Sequence, residues 1–478
     1  MKVDSEQNFE KRTRSNTRRD FLKAAGIISL GLMLPKCNFN HNTDKAKPNI
    51  LFILADDQGV HELNSYGNPY YYSPNIDRLA KGGMLFTNAY AACPVCSPTR
   101  ASIMTGKYPA RLHITDFIPG ADTKPNNKLE TPDWTKYLPL EEVTIAEALK
   151  KGGYITGHFG KWHLNIDKNY KSGRPGDPGS QGFDEVFTTV KPQKSDDPEK
   201  DPHHVKSITD HALKFLDKNK DNPFFCYVSH NSIHNPKMEN EQLVEKYKNK
   251  SGSEDKKNIP VIGAMVETLD YNIGRLLNKL DDLHLTENTI VIYFADNGCS
   301  SAKEVLKPLR GGKAQLYEGG IREPFIVRWP GKIDPGSKCD IPVSSVDFFP
   351  TLLTACGLSN SYSCIDGENI LPLLNGKSKF QTRPIFWHYP HYHSQGIGPS
   401  GAVRVGKYKL IEWYEKSIDG IDVDGAIELF DLEEDISEQR SIAKEKPQIA
   451  KHLYELLKDW RTVVDAQEMK LNLNYQPN

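Results

Sequence analysis

Apolar and polar residues alternate along the chain in blocks that favour strands and helices in turn. The first block, residues 49–55, is continuously apolar, as expected of a strand buried on both faces of a sheet. Further strand-like runs occupy residues 85–92, 154–159, 223–229 and 289–295, and helical stretches such as 259–283 lie between them. Residues 165–202, rich in Lys, Asp, Gly and Pro, are expected to form a surface insertion that shapes substrate access. This alternation predicts an α/β fold with a mainly parallel sheet sandwiched by helices.

The pattern changes after residue 380. Because the chain has 478 residues, more than one hydrophobic core usually serves, two parts are expected. One last helical stretch is preceded by four short strand-like runs, at residues 385–389, 402–405, 407–413 and 426–431. We therefore predict a large N-terminal domain at residues 48–380 and a smaller C-terminal subdomain, built on an antiparallel sheet, at residues 381–478.

The first 37 residues have the composition of an export signal. Thr17-Arg18-Arg19-Asp20-Phe21 is similar to a twin-arginine motif, and the apolar core that follows at residues 24–34 is too short to span a bilayer. Cys37 is a candidate for lipid attachment, although the two residues before it depart from a lipoprotein box. The alternative is a basic tail followed by a buried helix. We expect export to the periplasm or cell surface, with residues 38–47 as a linker.

Composition excludes several classes of function. The net charge is -1, so no global field favours nucleic acid or an anionic membrane, and an anionic substrate must meet local positive charge. The chain has eight cysteines, and an oxidising compartment permits disulfides. Cys356 and Cys364, which flank a short loop, are the easiest pair to join. None of the cysteine spacings is typical of a zinc site.

Polar residues follow the predicted strands that end at residues 55, 159, 229 and 295. Since the active sites of such sheets lie at the carboxyl ends of strands, these clusters indicate one shared site. Two of the clusters supply hard oxygen donors of the kind that calcium accepts. The plain alternative is that these residues only form turns. The donors are Asp56, Asp57, Asp296 and Asn297.

Cys96-Ser97-Pro98-Thr99-Arg100 opens a predicted helix. Its thiol would lie near the positive end of the helix dipole, with Arg100 one turn later on the same face. This place suits an anionic nucleophile or an oxyanion, whereas the plain alternative is a buried thiol. With the continuation Thr105-Gly106-Lys107-Tyr108-Pro109, the chain resembles the type I sulfatases of the alkaline phosphatase superfamily, over residues 48–465.

The resemblance implies an alkaline phosphatase-like fold and the oxidation of Cys96 to formylglycine, an aldehyde that is hydrated to a geminal diol. A formylglycine-generating enzyme or an anaerobic sulfatase-maturating enzyme would be the partner for this oxidation. The resemblance also implies one Ca²⁺, with magnesium as the alternative. Its ligands would be the modified residue 96 together with Asp56, Asp57, Asp296 and Asn297.

Further motifs supply the residues that would act on the sulfate. Gly160-Lys161-Trp162-His163 matches a family motif, and residues 317–324 match a second one that fixes the register of Lys313. Together with Arg100, these cations would surround the sulfate, whose oxygens Lys161 and Lys313 would hold.

The resemblance also implies which groups move protons. A hydroxyl of formylglycine 96 would attack sulfur with Asp296 as proton acceptor, and His163 would later deprotonate the second hydroxyl. His234 would protonate the leaving alcohol. His230 competes for this role, and we prefer His234 because it precedes Asn235-Pro236, where the family has His-x-Pro.

The expected substrate is a sulfated polysaccharide or oligosaccharide, since the signal indicates export. Residues 388–393, His-Tyr-Pro-His-Tyr-His, are rich in aromatic rings that can stack on sugars. We expect His388, His391 and Arg404 to contact the sugar, the alternative being an aromatic cluster packed between the two domains. Two other functions stay open: a phosphoryl-transfer enzyme of the same superfamily, and a non-catalytic glycan-binding protein.

Overall fold

Strands and helices alternate along the chain in the computed structural model, which describes residues 47–121, 123–167, 170–300, 307–376, 380–420 and 422–477. All of these residues fall in one compact unit. The predicted export signal, with its twin arginines and Cys37, lies outside the described residues. Within the described part of the chain, none of the helices combines the length and the apolar character that crossing a bilayer requires.

The bounds of the elements are as follows. The strands are β1 (Asn49–Ala55), β2 (Met84–Phe86), β3 (Ala89–Tyr90), β4 (Leu129–Glu130), β5 (Ile155–Gly160), β6 (Glu185–Thr188), β7 (Phe224–Ser229), β8 (Thr289–Ala295), β9 (Phe325–Arg328), β10 (Ser337–Cys339), β11 (Val343–Ser344), β12 (Ile385–Tyr389), β13 (Ser400–Val405), β14 (Tyr408–Trp413), β15 (Ile427–Asp431) and β16 (Lys470–Leu471). The helices are α1 (Pro74–Lys81), α2 (Cys96–Thr105), α3 (Pro109–Leu112), α4 (Ile145–Lys151), α5 (Val205–Asn219), α6 (Glu241–Lys248), α7 (Pro260–Asp282), α8 (Glu318–Ile321), α9 (Phe348–Ala355), α10 (Leu371–Leu374), α11 (Tyr414–Ser417) and α12 (Pro447–Val463).

The central sheet has eight strands in the order β10-β2-β9-β8-β1-β7-β5-β6. Strand β1 pairs in parallel with β7 on one side and with β8 on the other, and β5 pairs in parallel with both β7 and β6. Only β9 runs antiparallel to its neighbours β8 and β2. The sheet is therefore mainly parallel, as predicted, and the carboxyl ends of β1, β5, β7 and β8 meet at one edge.

Helices cover both faces of the sheet. Successive side chains of a strand point to opposite faces, so β1 contributes to two hydrophobic cores. Leu51 and Ile53 belong to the core that contains side chains of α1, α5, α6 and α7. Ile50 and Phe52 belong to the core that contains side chains of α2, α4, α9 and α10. Burial on both faces explains why the sequence of β1 is continuously apolar.

Several elements depart from the sequence-based expectation. The predicted strand at residues 85–92 is divided into β2 and β3, which pair in different sheets. Residues 165–202, predicted as a surface insertion, contain the edge strand β6. The pairing suggested for Cys356 and Cys364 is wrong, because both carry free thiols.

The C-terminal antiparallel sheet has the order β12-β13-β14-β15, and its strands lie close to the predicted runs. Lys409 of β14 is fully buried and pairs with two carboxylates, Glu318 of α8 and Glu438, each at 2.9 Å. Burial alone would raise the pKa of Glu318, but Lys409 and the neighbouring arginines lower it to about 2. These buried charges connect the small sheet to α8.

We predict that Lys409→Met destabilises the protein by about 3–5 kcal/mol, because the substitution leaves buried carboxylates without their cation. Lys407→Met is the matched control: Lys407 pairs with Asp431 at 2.7 Å, but its side chain is 35% exposed. The control should cost less than about 1 kcal/mol. Urea unfolding followed by circular dichroism measures both, and equal, small losses would contradict the role given to Lys409.

Candidate active site

Two pairs of oxygen donors meet at the carboxyl edge of the sheet. Asp56 and Asp57 follow β1, and Asp296 and Asn297 follow the adjacent strand β8, whose Ala295 is in register with Ala55. All four donor residues are fully buried. Asp57 has a φ of 60°, a left-handed conformation that turns the chain at the end of the strand. The backbone N–H of Asp57 donates to Asp296 Oδ1 at 3.2 Å, which joins the two pairs.

Cys96 is the first residue of α2, and its thiol faces these carboxylates. Its Sγ lies 3.6 Å from Asp56 Oδ1, 4.0 Å from Asp57 Oδ1 and 3.4 Å from Lys313 Nζ. Burial raises the pKa of Cys96 to about 12, although Lys161 and Lys313 act in the opposite direction. The unmodified Cys96 is therefore a protonated thiol at neutral pH.

Three cations from different parts of the chain balance the buried carboxylates. Arg100 of α2 donates from Nε to Asp296 Oδ2 at 2.8 Å, and its Nη2 lies 2.7 Å from the same oxygen as an ion-pair contact. Lys161 Nζ donates to Asp56 Oδ2 at 2.7 Å, and Lys313 Nζ donates to Asp57 Oδ1 at 2.5 Å. Burial alone would raise the pKa of Asp56 and of Asp57, but the cations around them, Lys161 and Lys313 foremost, lower both.

Two buried oxygens in this cluster have no hydrogen-bond partner among the described residues, Asp57 Oδ2 and Asn297 Oδ1. Burying such atoms is costly unless another group binds them. Ligand atoms of Asp56, Asp57, Cys96 and His234 also lie within 4.8 Å of one another. Carboxylate and amide oxygens that converge in this way fit a hard divalent cation.

The two predicted histidines each have one ring nitrogen fixed by a backbone carbonyl, which can only accept. His163 donates from Nε2 to Ile118 O at 2.6 Å, so Nδ1 carries the lone pair, and it has no partner among the described residues. His234 donates from Nδ1 to Asn235 O at 2.6 Å, and its Nε2 lies 3.7 Å from Asp57 Oδ2. Burial lowers the pKa of His234 to about 4, opposed by Asp57 and Asp56.

A cavity of about 340 Å³ opens onto the cluster. Its lining contains six of the predicted site residues: Asp57, Cys96, Lys161, His163, His234 and Lys313. The competing His230 is fully buried and does not line the cavity, which favours His234. The segment predicted to shape substrate access contributes to the wall with Asn165, Asp167, Tyr170, Asp177, Pro178, Thr188, Thr189, Val190 and Lys191.

Comparison with known proteins decides the family. A family model described as Sulfatase matches residues 48–358, and one described as N-sulphoglucosamine sulphohydrolase, C-terminal, matches residues 312–463. Human arylsulfatase A is 32% identical to this chain, over 76% of this chain and 74% of its own length. The chain belongs to the sulfatase family.

Two further relatives agree with this assignment. A protein of Bacteroides thetaiotaomicron named N-acetylgalactosamine-6-O-sulfatase is 29% identical to this sulfatase, over 91% of this chain and 98% of its own. The solved structure of Ps i-CgsB in complex with k-i-k-neocarrahexaose has a TM-score of 0.71 and 25% identity, over 87% of this chain and 93% of its own. The fold is alkaline phosphatase-like, and the protein is a sulfuric ester hydrolase. The named sulfatases among its relatives favour this activity over the phosphoryl-transfer and non-catalytic glycan-binding alternatives.

The structure corrects the predicted sugar contacts of the sulfatase. His388, His391 and Arg404 are 3%, 1% and 6% exposed, and none of them lines the cavity. His388 bonds Tyr414 and a backbone carbonyl, and Arg404 bonds Tyr90 and Asn88. For these three residues, the alternative prediction of a packed, buried cluster is therefore the correct one.

Sequence reasoning missed three residues that support the site. Ser229, the last residue of β7, accepts from Arg100 Nη1 at 2.6 Å, and its position at a strand end was the available signal. Ser97 Oγ accepts from Ile118 N–H at 3.0 Å, and Ile118 O in turn holds His163. No pattern in the sequence indicates this second chain of contacts, because it joins a helix to a distant loop.

Asp116, two residues before Ile118, has an unusual environment. It is 1% exposed, accepts from Tyr389 OH at 2.9 Å, and lies 3.8 Å from His391 Nδ1. Burial raises the pKa of Asp116 to about 7. Since the folded-state pKa exceeds the unfolded value, the stability associated with this group is present at low pH and is lost as the pH rises towards 7.

We predict that Asp116→Asn removes this pH dependence. Relative to the wild type, the variant should gain unfolding free energy between pH 4 and pH 7, on the order of 3 kcal/mol. Thermal and urea unfolding across that range measure the difference. Asp465→Asn is the control, since the Asp465 side chain is 97% exposed. If the difference in unfolding free energy between the wild type and the variant does not change with pH, the raised pKa assigned to Asp116 is wrong.

Proposed function

We propose that this sulfatase removes sulfate from a sulfated polysaccharide or oligosaccharide, with formylglycine at position 96 and one bound Ca²⁺. The observation that carries the proposal is the cavity in which Cys96 faces Lys161, Lys313 and two histidines above a carboxylate cluster. Two relatives support a glycan substrate, one named N-acetylgalactosamine-6-O-sulfatase and one solved with k-i-k-neocarrahexaose.

The environment of Cys96 supports the proposal that this residue is modified before it acts. A thiol whose pKa is raised to about 12 stays protonated at neutral pH and is a poor nucleophile. Hydrated formylglycine at this position would supply two hydroxyls, one to attack sulfur and one whose deprotonation releases sulfate. A maturating enzyme, either the formylglycine-generating type or the anaerobic type, would be the partner that makes it.

The calcium ligands would be Asp56, Asp57, Asp296, Asn297 and the modified residue 96. The unpartnered Asn297 Oδ1 and Asp57 Oδ2 are the oxygens that most need a cation. The ion would supply positive charge that helps to bind the anionic sulfate. Asp296 has a second role in this arrangement, because it fixes the Arg100 guanidinium.

The two lysines and the two histidines of the cavity have separate roles in the proposed reaction. Lys161 and Lys313 flank Cys96 and bind sulfate oxygens as compact point charges. His163 has its Nε2 engaged by Ile118 O, so its Nδ1 is the atom that accepts a proton. His234 has its Nδ1 engaged by Asn235 O, so its Nε2 is the atom that exchanges a proton with the leaving oxygen.

The cellular setting completes the proposal. We propose that residues 1–37 direct export through a twin-arginine-like signal to the periplasm or cell surface, with Cys37 as the candidate for lipid attachment. An exported sulfatase meets extracellular sulfated glycans, and twin-arginine export carries folded proteins, so position 96 would be converted before export.

We predict that the protein, produced with a maturating enzyme, releases sulfate from a panel of defined sulfated oligosaccharides, and that Cys96→Ala abolishes the release. Ion chromatography measures the sulfate, and mass spectrometry of the peptide containing residue 96 detects the aldehyde. An unmodified thiol in an active enzyme, or full turnover by Cys96→Ala, would sink the formylglycine assignment. No sulfate release from any sulfated glycan would sink the substrate class.

We predict that exhaustive chelation of the mature enzyme lowers both its activity and its melting temperature, and that added Ca²⁺ restores both. Asp57→Asn should weaken calcium binding in calorimetry about tenfold or more, since it removes an anionic ligand. Asp184→Asn is the control. Asp184 pairs with Lys150 just before strand β6, away from the carboxylate cluster, and the variant should bind calcium like the wild type. Stoichiometric zinc in the purified protein would contradict the calcium assignment.

A further inference from the structure

The last histidine of the His-Tyr-Pro-His-Tyr-His stretch lies at the cavity, unlike the two that precede it. His393 lines the same cavity as Cys96, Lys313 and His234. We propose that His393 donates a hydrogen bond from Nε2 to a neutral oxygen of the sugar that carries the sulfate, and so contributes to sugar specificity. This inference rests on the proposed glycan sulfatase function.

The ring of His393 is held in one orientation and one tautomer. Its Nδ1 accepts from the backbone N–H of Gln395 at 3.0 Å, so the proton of the neutral ring is on Nε2. The Phe117 ring packs edge-to-face against it, with the centroids 5.3 Å apart. No described residue accepts from Nε2 by hydrogen bond, so this N–H is available to a ligand.

The turn that carries His393 is docked on the loop that carries Lys313. Gln315 Nε2 donates to Gln395 O at 2.9 Å, and Gly396 N–H closes the turn on His393 O at 3.0 Å. A Cβ at Gly396 would lie 3.0 Å from Ala314 O, so the two loops approach closely enough to favour glycine there. His393 therefore keeps a fixed place relative to Lys313, which binds the sulfate in the proposed reaction.

The chemistry around His393 selects a neutral partner. The hydrogen bond that Nδ1 accepts from the Gln395 N–H requires an uncharged ring. Burial also lowers the pKa of His393 to about 4, with Lys313 acting in the same direction and Asp57 in the opposite one. An uncharged N–H donor suits a hydroxyl or ring oxygen better than a second sulfate, which a cation would bind more strongly. Phe117, Pro119 and Trp162 supply apolar surface in the same cavity, as a sugar ring requires.

The test compares two substrates of the mature enzyme, a monosulfated sugar chosen from N-acetylgalactosamine 6-sulfate and its positional isomers, and 4-nitrophenyl sulfate. For His393→Ala, the ratio of sugar to aryl kcat/KM should fall about tenfold, because one neutral hydrogen bond to the sugar is lost. His393→Gln should restore most of the ratio, since the glutamine amide can present an N–H close to the place of Nε2.

His391→Gln is the matched control. Its ring is buried against Thr115 and Asp116, so the substitution should lower the melting temperature while the substrate ratio stays that of the wild type. Equal losses of kcat/KM on both substrates for His393→Ala would overturn the inference. It would also be overturned if the wild type hydrolyses the aryl sulfate but neither hydrolyses nor is inhibited by any of these monosulfated sugars. A wild type inactive on both substrate types would instead refute the proposed function.

Discussion

Opposite charges buried together at the carboxyl edge of the sheet are the constraint on which the rest of the structure depends. Each ion removed from water is costly, and the cost is offset only when a partner of opposite sign lies within hydrogen-bond distance. Asp56 and Asp57 come from β1, Arg100 from α2, Lys161 from the end of β5, and Lys313 from a loop. Strand register, helix position and loop conformation must therefore agree before any of these charges is stable.

Close backbone contacts enforce this agreement. Gly160, with a φ of +111°, lies where a Cβ would be 1.9 Å from Ser229 O, so β5 approaches β7 without a side chain between them. The next residue, Lys161, donates its backbone N–H to the same carbonyl at 2.8 Å. Gly298 follows Asn297 in a similar way, with a Cβ position 2.0 Å from Gly319 O. Glycines next to Lys161 and Asn297 thus allow the close backbone contacts that position these two site residues.

Much of this arrangement could be predicted from the sequence. Apolar runs located the strands, and the polar residues after them located Asp56, Lys161, Asp296 and the other charged groups, because strand ends in a parallel sheet meet at one edge. The motif beginning at Cys96 indicated the family that the comparisons show. What could not be predicted depends on packing between distant parts of the chain.

Three particulars illustrate that limit. The raised pKa of the Cys96 thiol results from burial, which outweighs the nearby Lys161 and Lys313 and which no local pattern reveals. The choice between His391 and His393 depends on which side of a turn faces the cavity, and both lie in the same aromatic stretch. The antiparallel direction of β9 and the edge position of β6 are set by crossovers, whereas hydrophobic patterns indicate strands without their direction.

The contacts between α8 and the C-terminal residues have a consequence for the order in which the protein is completed during synthesis. The backbone N–H of Glu318 donates to Glu438, 120 residues later, and Lys409, 91 residues later, neutralises both carboxylates. Gln315 is held by Gln395, which also emerges late. A nascent chain that extends only to the last strand of the large sheet therefore lacks the residues that hold the Lys313 loop in place. The Lys313 loop therefore gains these contacts only after the C-terminal residues have been made, and a C-terminal truncation would remove them while leaving the strands of the large sheet in the chain.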